Sequence, residues 1–528
     1  MYTNKMLKKW IAPVSLASLL LASQLPVSLI AHAEESNQLT QTDNNLIGKD
    51  IEYKNVLNNV NTFLLSITPN PKLGNEDTII NLARSSYPVA TNYYQSYYQN
   101  ITQNLDENKG TLPTSYGGIG KVILALTAAG YNAEDIKGYN LISLMLDSYI
   151  NELNKGDKGA IYYSSTLYIL LALDSKEYQI PSEEKYKNIT RESLIENLIQ
   201  GQHEDGGFAY TDGVEPSNDT TAMIITALAP YASQNEEVKT SIAKGFDYLK
   251  NHLTENAGLT GYSGTESSDS IAQLLISLTA TKTDPKTNSG FVKANKEWTL
   301  SNLVKFTDSK TGGFKSGLSE KDPNLWSSNG ASLALASYER FKEGPSLFYD
   351  MTDADSSKLK FDNEAKKPTV HTVADNKTII TGKTEPYATI TVKNGSKVIG
   401  SAQADLKGSY SVTIKKQKAG TTLHIVATDL AKNNSNTLTV KVADKTAPKA
   451  PKINKITKHS TKITGTAEAK AKVYIYKNKK FYKTGFVSSK GKFSISIKKQ
   501  KAGTKFTVYV RDTAKNKSTS KTISVKSK

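Results

Sequence analysis

The sequence predicts a multidomain chain: an α/α toroid of six inner and six outer helices, followed by two all-β sandwiches. Three observations carry this. Apolar helical segments recur at a spacing of about 50 residues, which marks a repeat architecture built from helix pairs. Beyond residue 366 the apolar period changes from 3.6 to 2, the change from helix to strand. The β region also repeats itself at an offset of 83 residues, with Lys415-Lys416-Gln417-Lys418-Ala419-Gly420-Thr421 returning as Lys498 to Thr504.

At the N-terminus, Lys5, Lys8 and Lys9 precede an apolar run from Trp10 to Ile30, closed by Ala31-His32-Ala33. A charged start, an apolar stretch and a small-x-small site describe a secretory signal peptide over 1–33, so the mature chain is expected to begin at Glu34. Residues 34–50 read as a polar linker. No later run is apolar for the roughly 18 residues that a membrane span needs.

Within 51–345 the inner segments end on Leu82, Leu126, Leu173, Leu228, Leu278 and Leu335, separated by 44, 47, 55, 50 and 57 residues. Runs such as Met223-Ile224-Ile225 and Leu274-Leu275-Ile276 are apolar nearly all round, as expected of helices covered on both sides. Between them the ranges 51–67, 89–105, 139–153, 190–200, 237–253 and 296–308 carry Lys, Glu, Asn and Gln on one face, and these are read as the outer helices. Residues 346–366 lose the pattern and read as a linker.

The β region divides into 367–446 and 447–528. Alternation at 389–392, 411–414, 472–476 and 493–497 predicts strands. Charge splits along the same line. Residues 361–528 hold 36 Lys and Arg against 9 Asp and Glu, whereas 1–360 hold 31 against 41. The last module is extreme, with only Glu468 and Asp512 opposing 23 cations. Dense lysine with little arginine favours diffuse attraction to a polyanion over bidentate base reading. Secretion makes nucleic acid a poor partner, so an anionic cell-wall polymer such as teichoic acid is the expected partner of 367–528.

The ring repeats resemble the prenyltransferase and squalene oxidase repeat family of terpenoid cyclase and protein prenyltransferase toroids. Gln202, Gly206 and Phe208 match its glutamine-x3-glycine-x-aromatic signature, and Gly312-Gly313-Phe314 matches part of it. A more distant likeness is to the toroid of intrinsic factor and transcobalamin, through Asn218 to Met223 and Asp269 to Gln273. That resemblance implies a cobalamin-like ligand touching Asp219 and Gln273; no other cofactor is expected. The β modules resemble bacterial immunoglobulin-like repeats through Asp429-Leu430-Ala431-Lys432-Asn433 and Asp512-Thr513-Ala514-Lys515-Asn516, with Lys432 and Lys515 where that family usually has glycine. Such modules imply display or adhesion at an envelope.

The residues exclude the chemistry of the best-known toroid enzymes. The chain has no cysteine for a prenyltransferase zinc site, and no Asp-x-Asp-Asp run to protonate an alkene. His203 and His252 lie in different repeats without ligand spacing. Ligand binding is therefore the leading expectation, with an unknown small molecule or a protein as the toroid's partner. Asp219 and Asp269 begin inner helices, where a carboxylate can cap free N–H groups or meet a polar ligand at the helix dipole. Tyr116, Tyr162, Tyr163, Phe208, Tyr262 and Trp326 lie in loops leading into inner helices and are candidates for a cavity mouth, or for packing between repeats. A polysaccharide lyase or glycoside hydrolase using Glu204, Asp205, Glu266 or Asp269 is the alternative, and an adhesin whose ring binds protein is the third reading.

Overall fold

A computed structural model describes residues 47–155 and 162–528. The expected signal peptide over 1–33 and most of the expected 34–50 linker fall outside the described residues. From Gly48 onward the chain forms one compact unit.

Among the described residues, twelve α-helices alternate between two layers. The inner layer holds α2 (Glu76–Arg84), α4 (Tyr116–Ala128), α6 (Tyr163–Ser175), α8 (Asn218–Leu228), α10 (Ser268–Ala280) and α12 (Leu325–Glu343). The outer layer holds α1 (Tyr53–Ile67), α3 (Tyr93–Glu107), α5 (Leu141–Leu153), α7 (Arg191–Gln200), α9 (Glu236–Asn251) and α11 (Thr299–Leu303). Each inner helix packs on the next, and α12 packs on α2 to close the ring. The inner helices are apolar on most sides because they face both neighbours and the outer layer. In α4, Val122 through Ala128 are all buried, and each fully buried leucine contributes about 2 kcal/mol. The outer helices bury one stripe, as in α9 with Val238, Ile242, Tyr248 and Leu249. The tyrosines at 93, 94 and 97 of α3 are buried packing groups.

Closure joins residues about 250 positions apart. Thr78 donates to Asn329 Oδ1 (3.0 Å), Asn81 donates to the Asn329 carbonyl (2.9 Å), and Ser332 donates to Asn61 (2.6 Å). The Trp298 indole donates to the Lys49 carbonyl at 2.8 Å, and Lys49 pairs with Glu297 at 2.6 Å. Ends tied to each other in this way leave no exposed terminal repeat.

The 346–366 segment is not a free linker. It straps across the end of the ring where the inner helices terminate, burying Phe348, Met351 and Ala354. Arg84, with a side chain only 3% exposed, holds it. Its guanidinium donates to the carbonyls of Phe348 (2.9 Å), Leu347 (3.0 Å) and Asp350 (2.7 Å), and pairs with Asp353 at 2.7 Å. Arg340 reaches the other oxygen of Asp353. Met351 N–H donates to the Ser175 carbonyl, and the strap continues as a parallel bridge from Phe361 to Val89. Recognition of backbone carbonyls leaves no periodic signal, which is why the segment reads as a linker.

Each β module is a sandwich of a three-stranded and a four-stranded antiparallel sheet. The first pairs β1 (Thr369–Val370), β2 (Ile379–Lys383) and β5 (Ser409–Thr413) against β4 (Lys397–Gln403), β3 (Thr389–Asn394), β6 (Thr422–Thr428) and β7 (Leu438–Lys441). The second repeats this with β8 (Lys452–Ile453), β9 (Lys462–Thr466) and β12 (Lys492–Ser496) against β11 (Lys480–Phe486), β10 (Lys472–Lys477), β13 (Lys505–Arg511) and β14 (Lys521–Ser524). Ile390, Val392, Leu423 and Ile425 lie in the first core, and Val473, Ile475, Phe506 and Val508 in the second. The repeated Asp-x-Ala-Lys-Asn loop clamps each module to the segment before it. Asn433 donates to the Asp362 carbonyl (2.7 Å) and Asn516 to that of Asp444 (3.2 Å), while Asp429 and Asp512 hold the two asparagines.

Candidate functional site

Because every outer helix returns the chain, all six inner helices begin at one end of the ring. The loops entering them gather at that end. The signature motif builds these loops rather than the site. The Gln202 amide donates to the carbonyls of Gly206 (2.9 Å) and Ser241 (2.8 Å). Gly206 has φ +90°, and a Cβ there would lie 2.4 Å from the Lys244 carbonyl oxygen. Phe208 is fully buried, with its N–H on Thr221 Oγ1 at 2.8 Å. Phe314 repeats the arrangement, with its N–H on Ser328 Oγ at 2.9 Å.

Three of the six candidate aromatics are packed inward rather than set at the ring's end. Phe208 is packing, because the tight turn at Gly206 directs it into the core. Tyr116 is also buried, at 4% exposure; its hydroxyl meets the Tyr162 backbone and so positions the neighbouring loop. Tyr163 is buried as well and donates to Asp212. Tyr162, Tyr262 and Trp326 are exposed, the last at 73%. Tyr210, which sequence reasoning did not single out, joins them. Its ring lies parallel to that of Tyr162, with centroids 6.4 Å apart.

Asp219 and Asp269 are each the second residue of an inner helix, and neither caps it. Ser217 caps α8 by accepting from Thr220 N–H at 3.1 Å, and Asp219 is the second helical residue. Its Oδ1 is buried and makes no hydrogen bond. Burial pushes the Asp219 carboxyl above its ordinary value, while Ser270 opposes the shift. Asp269 accepts from Ser327 Oγ of α12 at 3.1 Å. Burial raises it too, Ser327 opposes, and the charges of Asp219 and Glu320 add to the rise. Gln273 lies one turn further along α10, partly exposed.

Deeper in the ring is a polar group absent from the sequence reading. Lys121 of α4 pairs with Asp77 of α2 at 3.1 Å and lies 4.8 Å from the Tyr168 ring of α6. Burial opposes its charge, yet Tyr168 and Asp77 hold its pKa above the ordinary lysine value. The strap adds Tyr349, whose hydroxyl is pushed well up by burial and by Tyr168 and Asp77. The available signal was Lys121 itself, the single charge in an otherwise apolar helix. Beneath the strap lies a cavity of about 320 Å³ lined by residues including Leu171, Thr226, Ile276, Ser337 and Phe348.

Glu266 is engaged by Thr254 and Asn302 within its own repeat pair. Asp205 accepts from Gly207 N–H and shapes the signature turn. His252 hydrogen-bonds the Tyr248 carbonyl. Among the described residues no cluster of three or more His, Asp or Glu could hold a metal ion, and no helix is long and apolar enough to cross a membrane.

The described chain is thus an α/α ring followed by two Ig-like sandwiches. Residues 366–444 and 447–527 each match the family described as Bacterial Ig domain. A cell wall-associated protease of Bacillus subtilis (strain 168) is 34% identical over 151 residues, which are 28% of this chain and 17% of that protein. The match therefore spans about a sixth of that relative's length. Among solved structures, the unsaturated glucuronyl hydrolase of Bacillus sp. GL1 aligns with 56% of this chain and 98% of its own, at 13% identity and a TM-score of 0.44. Fibronectin(III)-like modules of Clostridium thermocellum CbhA align with 30% of this chain and 94% of theirs, at 18% identity and a TM-score of 0.20.

Proposed function

We propose that this chain is a secreted, envelope-associated binding protein. Its ring takes a ligand at the mouth where the inner helices begin, and its two basic modules hold it to an anionic cell-wall polymer such as teichoic acid. The observation that carries the reading is Asp219, whose buried Oδ1 lacks a partner at the same end of the ring as the exposed Tyr162, Tyr210, Tyr262 and Trp326. A buried acceptor left unmet costs about 1–3 kcal/mol, and a ligand donor recovers that cost. The aromatic rim supplies apolar contact area around it.

Calorimetry with cobalamin, cobinamide, a terpenoid panel and neutral oligosaccharides on wild type, Asp219→Asn, Gln273→Ala and Trp326→Ala tests this reading. Binding weakened by Asp219→Asn and Trp326→Ala supports it. No heat with any compound moves the ring to the protein-binding reading. For the modules, retention on Gram-positive walls should collapse at high salt, since exposed charges are screened within about 8 Å at physiological ionic strength. Equal binding to teichoic-acid-depleted walls would overturn the polymer assignment.

One observation favours glycoside hydrolysis as a second reading. Asp219 and Asp269 are neighbouring carboxyls whose burial favours the protonated form, and a general acid beside a carboxylate base is what that reaction needs. Reducing-sugar release lost in both Asp219→Asn and Asp269→Asn would establish it.

A further inference from the structure

The second β module carries a surface that the first lacks. On the outer face of its four-stranded sheet, Tyr474 of β10 stands opposite Tyr509 of β13, with rings 5.0 Å apart and 10° from parallel. Tyr476 lies 5.9 Å from Tyr509 and 5.7 Å from Phe481. Lys472, opposite both Phe486 and Arg511, sits over the Tyr474 and Phe486 rings at 5.6 and 5.8 Å. Lys517 covers Tyr509 at 4.4 Å. Phe486 is 70% exposed and Phe481 58%.

Cross-strand aromatic pairs do stabilise sheets, by about 0.2–1 kcal/mol each. The first module shows that this fold does not need them. At the 83-residue offset, Tyr474, Tyr476 and Tyr509 become Thr391, Lys393 and Val426, and Phe481 and Phe486 become Val398 and Gln403. Lys472, Arg511 and Lys517 become Thr389, Thr428 and Asn434. The aromatics and their cations are thus present together in one module and absent together from its copy, although both sheets have the same strand order.

We infer that this face is a binding platform for an anionic glycan chain, whose sugar rings stack on Tyr474, Tyr476 and Phe486 while its acidic groups pair with Lys472, Arg511 and Lys517. Aromatic rings offer flat area at low cost in side-chain entropy, which suits sugar rings. The surrounding charge, 23 cations against 2 anions over 447–528, selects an acidic chain over a neutral one. The inference rests on the reading that the basic modules hold an anionic polymer, and adds to it a defined face and a requirement for sugar rings. The occupant is a sugar-bearing teichoic acid, whose phosphates pair with the cations; a uronate polymer is the alternative that the test separates from it.

The test uses the full mature chain and four immobilised probes: teichoic acid, hyaluronan, polyglutamate and single-stranded DNA. The variants are Tyr474→Ser/Tyr476→Ser/Phe486→Ser, which leaves net charge unchanged, and Lys517→Gln, a single exposed surface change. The triple variant should lose on the order of tenfold in affinity for teichoic acid, and keep wild-type binding to polyglutamate, which has charge but no rings. Lys517→Gln should lose about threefold on the same glycan, guarding against misfolding of the triple variant. Wild-type preference for hyaluronan over teichoic acid would overturn the assignment of a phosphate-bearing occupant. Glycan binding equal to wild type in both variants would overturn the platform while leaving diffuse charge attraction intact. Absence of salt-sensitive glycan binding in wild type would overturn both readings. Stronger ring-dependent binding to single-stranded DNA would assign the face to nucleic acid and refute the inference.

Discussion

Replacing Asp353 by Asn should destabilise the ring substantially. Asp353 lies between two guanidiniums, 2.7 Å from Arg84 and 2.5 Å from Arg340, and the Arg84 side chain is 3% exposed. An amide removes the carboxylate that pairs with both cations. Breaking a buried pair by removing one partner costs about 3–5 kcal/mol. For a ring of this size each kcal/mol moves Tm by roughly 2–4 °C, so a fall on the order of 10 °C is expected. The two guanidiniums hold the Asp353 carboxyl down at about 2 against an ordinary value of 3.8, although burial opposes the shift. The contact therefore contributes fully above pH 3.8 and is lost as pH falls toward 2. Wild-type stability should lose this contribution between those values, and Asp353→Asn should lack that step. Tryptophan fluorescence isolates the ring, since Trp298 and Trp326 are the only tryptophans after Trp10. A Tm within about 1 °C of wild type at pH 7 would refute the view that the strap is an integral part of the ring.

A chain ending at residue 348 should melt at lower temperature and less cooperatively than one ending at 364, because it removes Asp350 and Asp353 from Arg84; dye binding compared between the two checks this. Asp219→Asn should leave Tm at pH 7 unchanged or raised, because a buried carboxyl held above its ordinary value gives up stability once ionised, as pH rises past 3.8. A marked loss of stability in that variant would show an unrecognised structural role. Lys432 and Lys515 sit at φ +70° and +71°, so Lys432→Gly and Lys515→Gly should each stabilise their module by roughly 0.5–1 kcal/mol in calorimetry. Gly206→Ala should destabilise by about 1–3 kcal/mol, from the left-handed backbone and the clash with the Lys244 carbonyl.

The two-layer ring was legible because its physical cause is periodic. A helix covered on both sides must be apolar all round, and Leu82 through Leu335 mark six such helices. The β modules were legible for the same reason, with period 2 at 389–392 and 472–476. The strap was not, because Arg84 reads carbonyl groups, which every residue possesses. Asp219 was assigned to the right end of the right helix, but its capping role went to Ser217 two positions earlier. Exposure of loop aromatics was equally hidden: Phe208 and Trp326 both precede or open an inner helix, and only the turn geometry at Gly206 sends one inward. Lys432 and Lys515 carried a visible sign, lysine in place of a family glycine, and the left-handed backbone there accounts for it. The Asp77, Lys121 and Tyr168 group was missed because its members come from three repeats.

Native mass spectrometry of the protein purified from culture medium tests ligand binding by the ring most directly. The account predicts a non-covalent mass retained by the wild-type chain and lost in Asp219→Asn and Trp326→Ala, with Asp353 variants kept under conditions where the ring is folded. A wild-type chain that, like both variants, appears only at its own sequence mass with nothing retained would contradict it.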